Sequence, residues 1–232
     1  MNQIPTAKEM GFNLASLNNL LCREELILPK SKGYLDATSG KLKKLGRVQS
    51  YEYMIKEAEP IDFVPIVSKK LKRIVPRVYL DIVVKPPPKE NVPPFERLVT
   101  VIEIWDVLKK KLQLRWHIDL ANRLDDGTYQ PGPLFHLQAG GHTPKGDRQE
   151  ELKVSIPRWP FPPMELILTC EIIIANFYPD KWKKIKKQKK WLELIQFAQS
   201  VCYPVPRSQT PFGNAFLDAP RRTFTKHEKL FT

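Results

Sequence analysis

Residues 112–121 read LQLRWHIDLA and residues 133–139 read PLFHLQA. Both segments alternate, and alternation is the signature of a strand with one buried face. In the first, Leu112, Leu114, Trp116, Ile118 and Leu120 point one way, while Gln113, Arg115, His117 and Asp119 point the other. In the second, Phe135, Leu137 and Ala139 oppose Leu134, His136 and Gln138. The residues between them, NRLDDGTYQPG, are rich in turn formers, so the two strands are expected to pair as a hairpin. Sequence leaves the register open. If the apolar sides are buried together, Arg115, His117, Asp119, His136 and Gln138 emerge on one side.

Upstream, RVYLDIVVK and RLVTVIEIW are β-branched runs separated by a stiff proline-rich connection that begins at Pro86. VQSYEYMIKEA and FVPIVSKKLKRI add two weaker strand signals. A helix is expected from Thr6 to about Leu26, where Leu14, Leu17, Leu20 and Leu21 form one stripe. The following segment, with Pro29, Gly33, Gly40, Gly46 and scattered lysines, reads as an irregular basic loop. Beyond the hairpin, Pro162 and Pro163 suit the first turn of a helix that is apolar on nearly all sides. A last helix runs from about Asp180, its expected cap, to Cys202, with Trp191, Leu194, Ile195, Ala198 and Cys202 on one stripe. The expected class is therefore α+β: an N-terminal helix, an antiparallel meander of four to five strands, two C-terminal helices and a basic extended tail. Three regions follow: residues 1–47 (helix and basic loop), 48–203 (α+β core) and 204–232 (basic tail).

This order is similar to the layout of ubiquitin-conjugating-enzyme-like domains. No His-Pro-Asn triplet and no cysteine after the meander accompany it, so the resemblance concerns element order and implies no activity.

The polar side of the hairpin is the first candidate site. His117, Asp119 and His136 have the chemistry of acid–base catalysis on a phosphodiester, and equally of a site for a divalent metal. Arg115, Gln138, His142 and Arg158 could hold an anion or polar ligand, with Gly140 and Gly141 allowing close backbone approach before His142. A solvated polar sheet face explains the same residues without chemistry. No phosphate-binding glycine loop, serine elbow, HExxH or EF-hand loop is present.

Charge supplies the second candidate. The 38 Lys and Arg exceed the 25 Asp and Glu, giving a net charge of +13. Such an excess draws a chain toward polyanions. It is densest in DKWKKIKKQKKW, where Lys181, Lys183, Lys184, Lys186, Lys187, Lys189 and Lys190 interleave with Trp182 and Trp191. The expected role is that of a nucleic-acid-associated protein, contacting the phosphates of DNA or RNA within a multi-protein assembly. The alternatives are an enzyme at the histidine face and an adaptor for an acidic protein. Three widely spaced cysteines point to a reducing, cytoplasmic setting, and no segment is long and apolar enough to span a bilayer.

Overall fold

In a computed structural model, residues 4–68, 72–87, 93–125, 127, 129–130, 132–140 and 158–203 are described. Thr6 opens helix α1 (Ala7–Arg23) with a capping box: its side chain accepts from the Glu9 amide, and the Glu9 carboxylate accepts from the Thr6 amide. The expected leucine stripe is fully enclosed.

The next segment overturns the loop expectation. Residues Pro29–Leu45 form α2, a second helix of 17 residues, with Pro29 in its first turn. It lies against α1 so closely that a Cβ on Gly11 would stand 2.8 Å from the Ser39 carbonyl oxygen and 2.9 Å from the Lys43 nitrogen. Gly46, at φ 79, then turns the chain back, and Val48 and Gly46 accept hydrogen bonds from the first amides of α1.

The sheet is antiparallel throughout, in the order β1 (Tyr51–Ile55), β4 (Lys72–Val84), β5 (Phe95–Asp106), β6 (Lys111–Leu120), β7 (Phe135–Ala139), β8 (Trp159–Pro160). Two short strands, β2 (Ile61–Asp62) and β3 (Ile66–Ser68), also pair with β4. These eight strands exceed the expected four to five. The surplus is short: β4 is 13 residues long, so β1, β2 and β3 succeed one another along it.

Glu165, two residues beyond Pro163, caps α3 (Leu166–Phe177) by accepting from the amides of Ile167 and Leu168 at 2.9 and 3.1 Å. The prolines therefore lead into the helix rather than forming its first turn. The Thr100 hydroxyl on β5 donates to the Met164 carbonyl at 3.0 Å and fastens this lead to the sheet. The expected last helix is two helices. Pro179–Ile185 forms α4 and Lys189–Cys202 forms α5. Tyr178, not Asp180, stands at the cap of α4, and Asp180 falls in its first turn. At the break the Gln188 side chain donates to Glu24 at 2.9 Å and accepts from Arg23, so the corner is held by the end of α1.

With five helices, two of them before the sheet, the order departs from the ubiquitin-conjugating-enzyme-like layout. The helices and one face of the sheet share a continuous apolar core. It includes Leu14 and Leu35 from the helix pair, Ile82, Ile102 and Ile118 from the sheet, and Ile174 and Leu194 from the C-terminal helices. Cys22, Cys170 and Cys202 are free thiols. Among the described residues no helix is long and apolar enough to cross a membrane. The expected tail, 204–232, lies outside the described residues.

Candidate functional site

Register decides what the hairpin presents. His117 stands opposite Gln138, and Asp119 stands opposite His136. On the other side of β6, Glu103 of β5 faces Arg115, Val101 faces His117 and Val99 faces Asp119. Residues paired across strands share a sheet face. Arg115, His117, Asp119, His136 and Gln138 therefore lie on one face, opposite the face that carries Thr100, Ile102 and Ile118 against the helices. Pro160 pairs with His136, so Arg158, two residues before it, belongs on this same face at the sheet edge. Arg158 donates to the Gln130 side chain at 3.3 Å. His142 lies outside the described residues.

The face is not a solvated surface. His136 is 3% exposed, Arg115 6%, and Glu103 is fully enclosed. Sequence reasoning did not single out Glu103, although an acid inside the apolar run VIEIW is a signal for a buried charge with a partner. Its partners are complete. The Arg115 guanidinium donates to Glu103 Oε1 through Nε at 2.8 Å and through its terminal nitrogen. The Tyr79 hydroxyl donates to Oε1 at 3.2 Å, and the Trp105 indole donates to Oε2 at 2.6 Å. Glu57 lies 3.7 Å from the same guanidinium. Arg77 stacks over the Trp105 ring at 5.0 Å and pairs with Asp62 at 2.8 Å. Arg115 is thus committed to structure: its donors are turned toward Glu103 and Glu57, which argues against the anion-holding role expected of it.

Farther along β6 the network is incomplete. His117 Nδ1 approaches Asp119 Oδ2 at 3.8 Å, longer than a hydrogen bond. Asp119 Oδ1 and His136 Nδ1 are enclosed without a hydrogen-bond partner. Burial raises the Asp119 carboxyl to about 7, against a smaller opposing pull from the Arg158 cation. Burial likewise lowers the imidazole of His136, with Arg158 adding to the effect and a backbone hydrogen bond at Pro133 opposing it. Near neutral pH the pair therefore offers a carboxyl that titrates beside a neutral imidazole, the combination that proton transfer requires. It does not extend to a metal centre. Among the described residues no group of three or more His, Cys, Asp or Glu is placed to hold a metal ion. Sharing a face is not enough for that: ligands must converge on one point within about 2 Å of the ion.

The lysine-rich segment forms the second surface. The break between α4 and α5 folds it into a corner, packed by the edge-to-face contact of Trp182 and Trp191 at 6.1 Å and anchored by buried Ile185. Lys181 pairs with Glu25 at 3.8 Å, Lys183 with Asp180 at 3.5 Å and Lys190 with Glu193 at 3.5 Å. Lys186 is half-buried and has an interaction of its own. Lys184, Lys187 and Lys189 are exposed, and among the described residues no carboxylate pairs with them.

No protein-family model matches the chain, and neither a curated protein nor a solved structure matches it.

Proposed function

We propose that the chain is a nucleic-acid-associated protein, a component of a larger assembly, that grips the phosphate backbone through the α4–α5 corner. The observation that carries this reading is the trio Lys184, Lys187 and Lys189, exposed and without carboxylate partners on a corner that packing holds in place. Lysine offers a flexible point charge rather than a base-reading fork, so the contact is to phosphate and is nearly blind to sequence. Titrating labelled duplex DNA and single-stranded RNA at two salt concentrations tests it. Each phosphate contact contributes about −0.9 to the slope of log K against log salt on duplex DNA. Replacing Lys184, Lys187 and Lys189 by Glu flattens that slope and weakens binding to every sequence alike. If the folded protein binds neither polymer at low salt, the reading fails and an acidic protein becomes the partner to seek.

A second reading has its own observation. Asp119 and His136 face each other across the hairpin, each with a buried polar atom left unpartnered, and Arg158 stands at the sheet edge beside them. That arrangement fits metal-independent acid–base attack on a phosphodiester or another polar substrate. A nuclease assay over pH separates the two readings. Asp119→Asn abolishes turnover but leaves oligonucleotide binding at the corner unchanged if the second reading holds.

A further inference from the structure

The end of the α1–α2 pair carries a feature that the α4–α5 corner lacks. Phe12 is 53% exposed, Leu45 51% and Val48 43%. Scattered apolar side chains on a surface are ordinary, but these are gathered. The Ala7 and Lys8 amides donate to the carbonyls of Val48 and Gly46 at 2.8 and 2.9 Å, so the chain after α2 lies across the first turn of α1. The ammonium groups of Lys8 and Lys43 stand 5.9 and 5.8 Å from the centre of the Phe12 ring, which brings the two helices together at that residue. The close crossing at Gly11 makes the platform rigid.

Charge around these apolar groups has one sign. Lys8, Lys41, Lys44 and Arg47 are exposed and Lys43 is half-buried; among the described residues none of the five forms an ion pair. Elsewhere the basic residues are commonly paired: Lys32 with Asp36, Lys85 with Glu96, Arg97 with Asp81, Lys181 with Glu25. Glu9, the acid nearest in sequence, is held by the capping box, with its carboxylate accepting from the Thr6 amide and hydroxyl at 2.7 and 2.8 Å.

We propose that this end of the helix pair docks on an anionic lipid bilayer, with Phe12, Leu45 and Val48 entering the boundary between headgroups and acyl chains and the five cations meeting the headgroups. An apolar centre ringed by cations has two demands, a place to bury hydrocarbon and a layer of negative charge, and a bilayer interface supplies both. A nucleic acid supplies the charge but not the burial. Bases stack on aromatic rings, and Leu45 and Val48 present none. The docking is peripheral and goes beyond the proposed phosphate-backbone contact, because it uses different helices.

Sedimentation of the full chain with vesicles tests it, using phosphatidylglycerol mixed one to two with phosphatidylcholine, and phosphatidylcholine alone. The wild type is expected to sediment with the mixed vesicles, not with the neutral ones, and to be released by salt. Loss of each cation weakens partition about fivefold. The Phe12→Asp, Leu45→Asp variant is expected to lose more than about tenfold while binding oligonucleotide as before. In Phe12→Trp, whose ring keeps the native packing, emission relative to the wild type shifts to the blue on mixed vesicles. Failure of the wild type to bind anionic vesicles overturns the proposal, as does undiminished binding by the doubly substituted chain. A Phe12→Trp shift with oligonucleotide but not with vesicles also overturns it, and assigns the surface to nucleic acid. Because oligonucleotide binding is followed in parallel, loss of the corner's function registers separately.

Discussion

On one face of the sheet, Ile82, Leu98, Ile102 and Ile118 are enclosed together with α3, and burial there is the removal of hydrocarbon from water. One residue along the same strands, Glu103, Arg115 and His136 are just as enclosed, yet they carry charge or polar nitrogen. The first face needs only shape to be stable. The second needs partners, because a charge taken from water costs several kcal/mol unless its donors and acceptors are met. Around Glu103 they are met by Arg115, Tyr79 and Trp105. Around Asp119 and His136 they are not. The contrast within this face separates structure from candidate chemistry: the satisfied half holds the sheet, and the unsatisfied half has capacity left for a substrate.

The strongest way to break this comparison is Arg115→Ala. It strands the Glu103 carboxylate and is expected to cost about 3–5 kcal/mol in urea unfolding, whereas replacing both residues with apolar groups of similar volume comes close to neutral. If Arg115→Ala unfolds no more easily than an exposed lysine substitution, Glu103 is not held as described.

Next in size is a dependence on pH. Burial raises Glu165, under α3, from 4.5 to about 7, against hydrogen bonds from the Ile167, Leu168 and Leu166 amides. Its folded form binds a proton more tightly than the unfolded chain does. The stabilisation is therefore complete below about 4.5 and is lost as pH rises through 7, a change of about 3 kcal/mol. Asp119 acts in the same direction over a similar window on the opposite face. Glu165→Gln keeps an oxygen to cap α3 and removes the first part of the slope; Asp119→Asn removes the second. Unfolding midpoints of both variants from pH 5 to pH 8, roughly the span of these shifts, assign the dependence to one face or the other. Unchanged slopes in both would refute the burial of either carboxyl.

Trp105→Phe keeps the ring beneath Arg77 and removes the donor to Glu103. The expected loss is about 1.5–3 kcal/mol, measured by the same unfolding, because the acceptor is charged. Smallest of all is Phe12→Ala. Its ring is half exposed, so stability shifts by about 0.5 kcal/mol or less, and a larger loss would make Phe12 a packing residue rather than a docking one.

Much of the sheet could be read from local pattern. Alternation in LQLRWHIDLA places His117 and Asp119 together on one side whatever the neighbours are, because successive side chains in a strand point oppositely. The helix α2 was hidden for an equally physical reason. Its core-facing positions include Ser31, Thr38 and Ser39 beside Leu35 and Leu42, so no apolar stripe is visible, and Gly33 and Gly40 lower its propensity. Small side chains are what the close approach to α1 at Gly11 demands. The break at Lys186–Gln188 has no proline or glycine to announce it, since contact with Arg23 and Glu24, far away in sequence, secures it.

The chain by itself determined which residues occupy strands, which way each side chain points, and the excess of positive charge. These follow from backbone geometry and composition, which are local or additive. Tertiary structure decided the partners. Register set Glu103 against Arg115 and Asp119 against His136, and the covering of the second face made one pair a satisfied ion pair and left the other short of hydrogen bonds. Burial and pairing depend on residues distant in sequence, so the difference between a structural charge and a reactive one arises only when the strands are aligned.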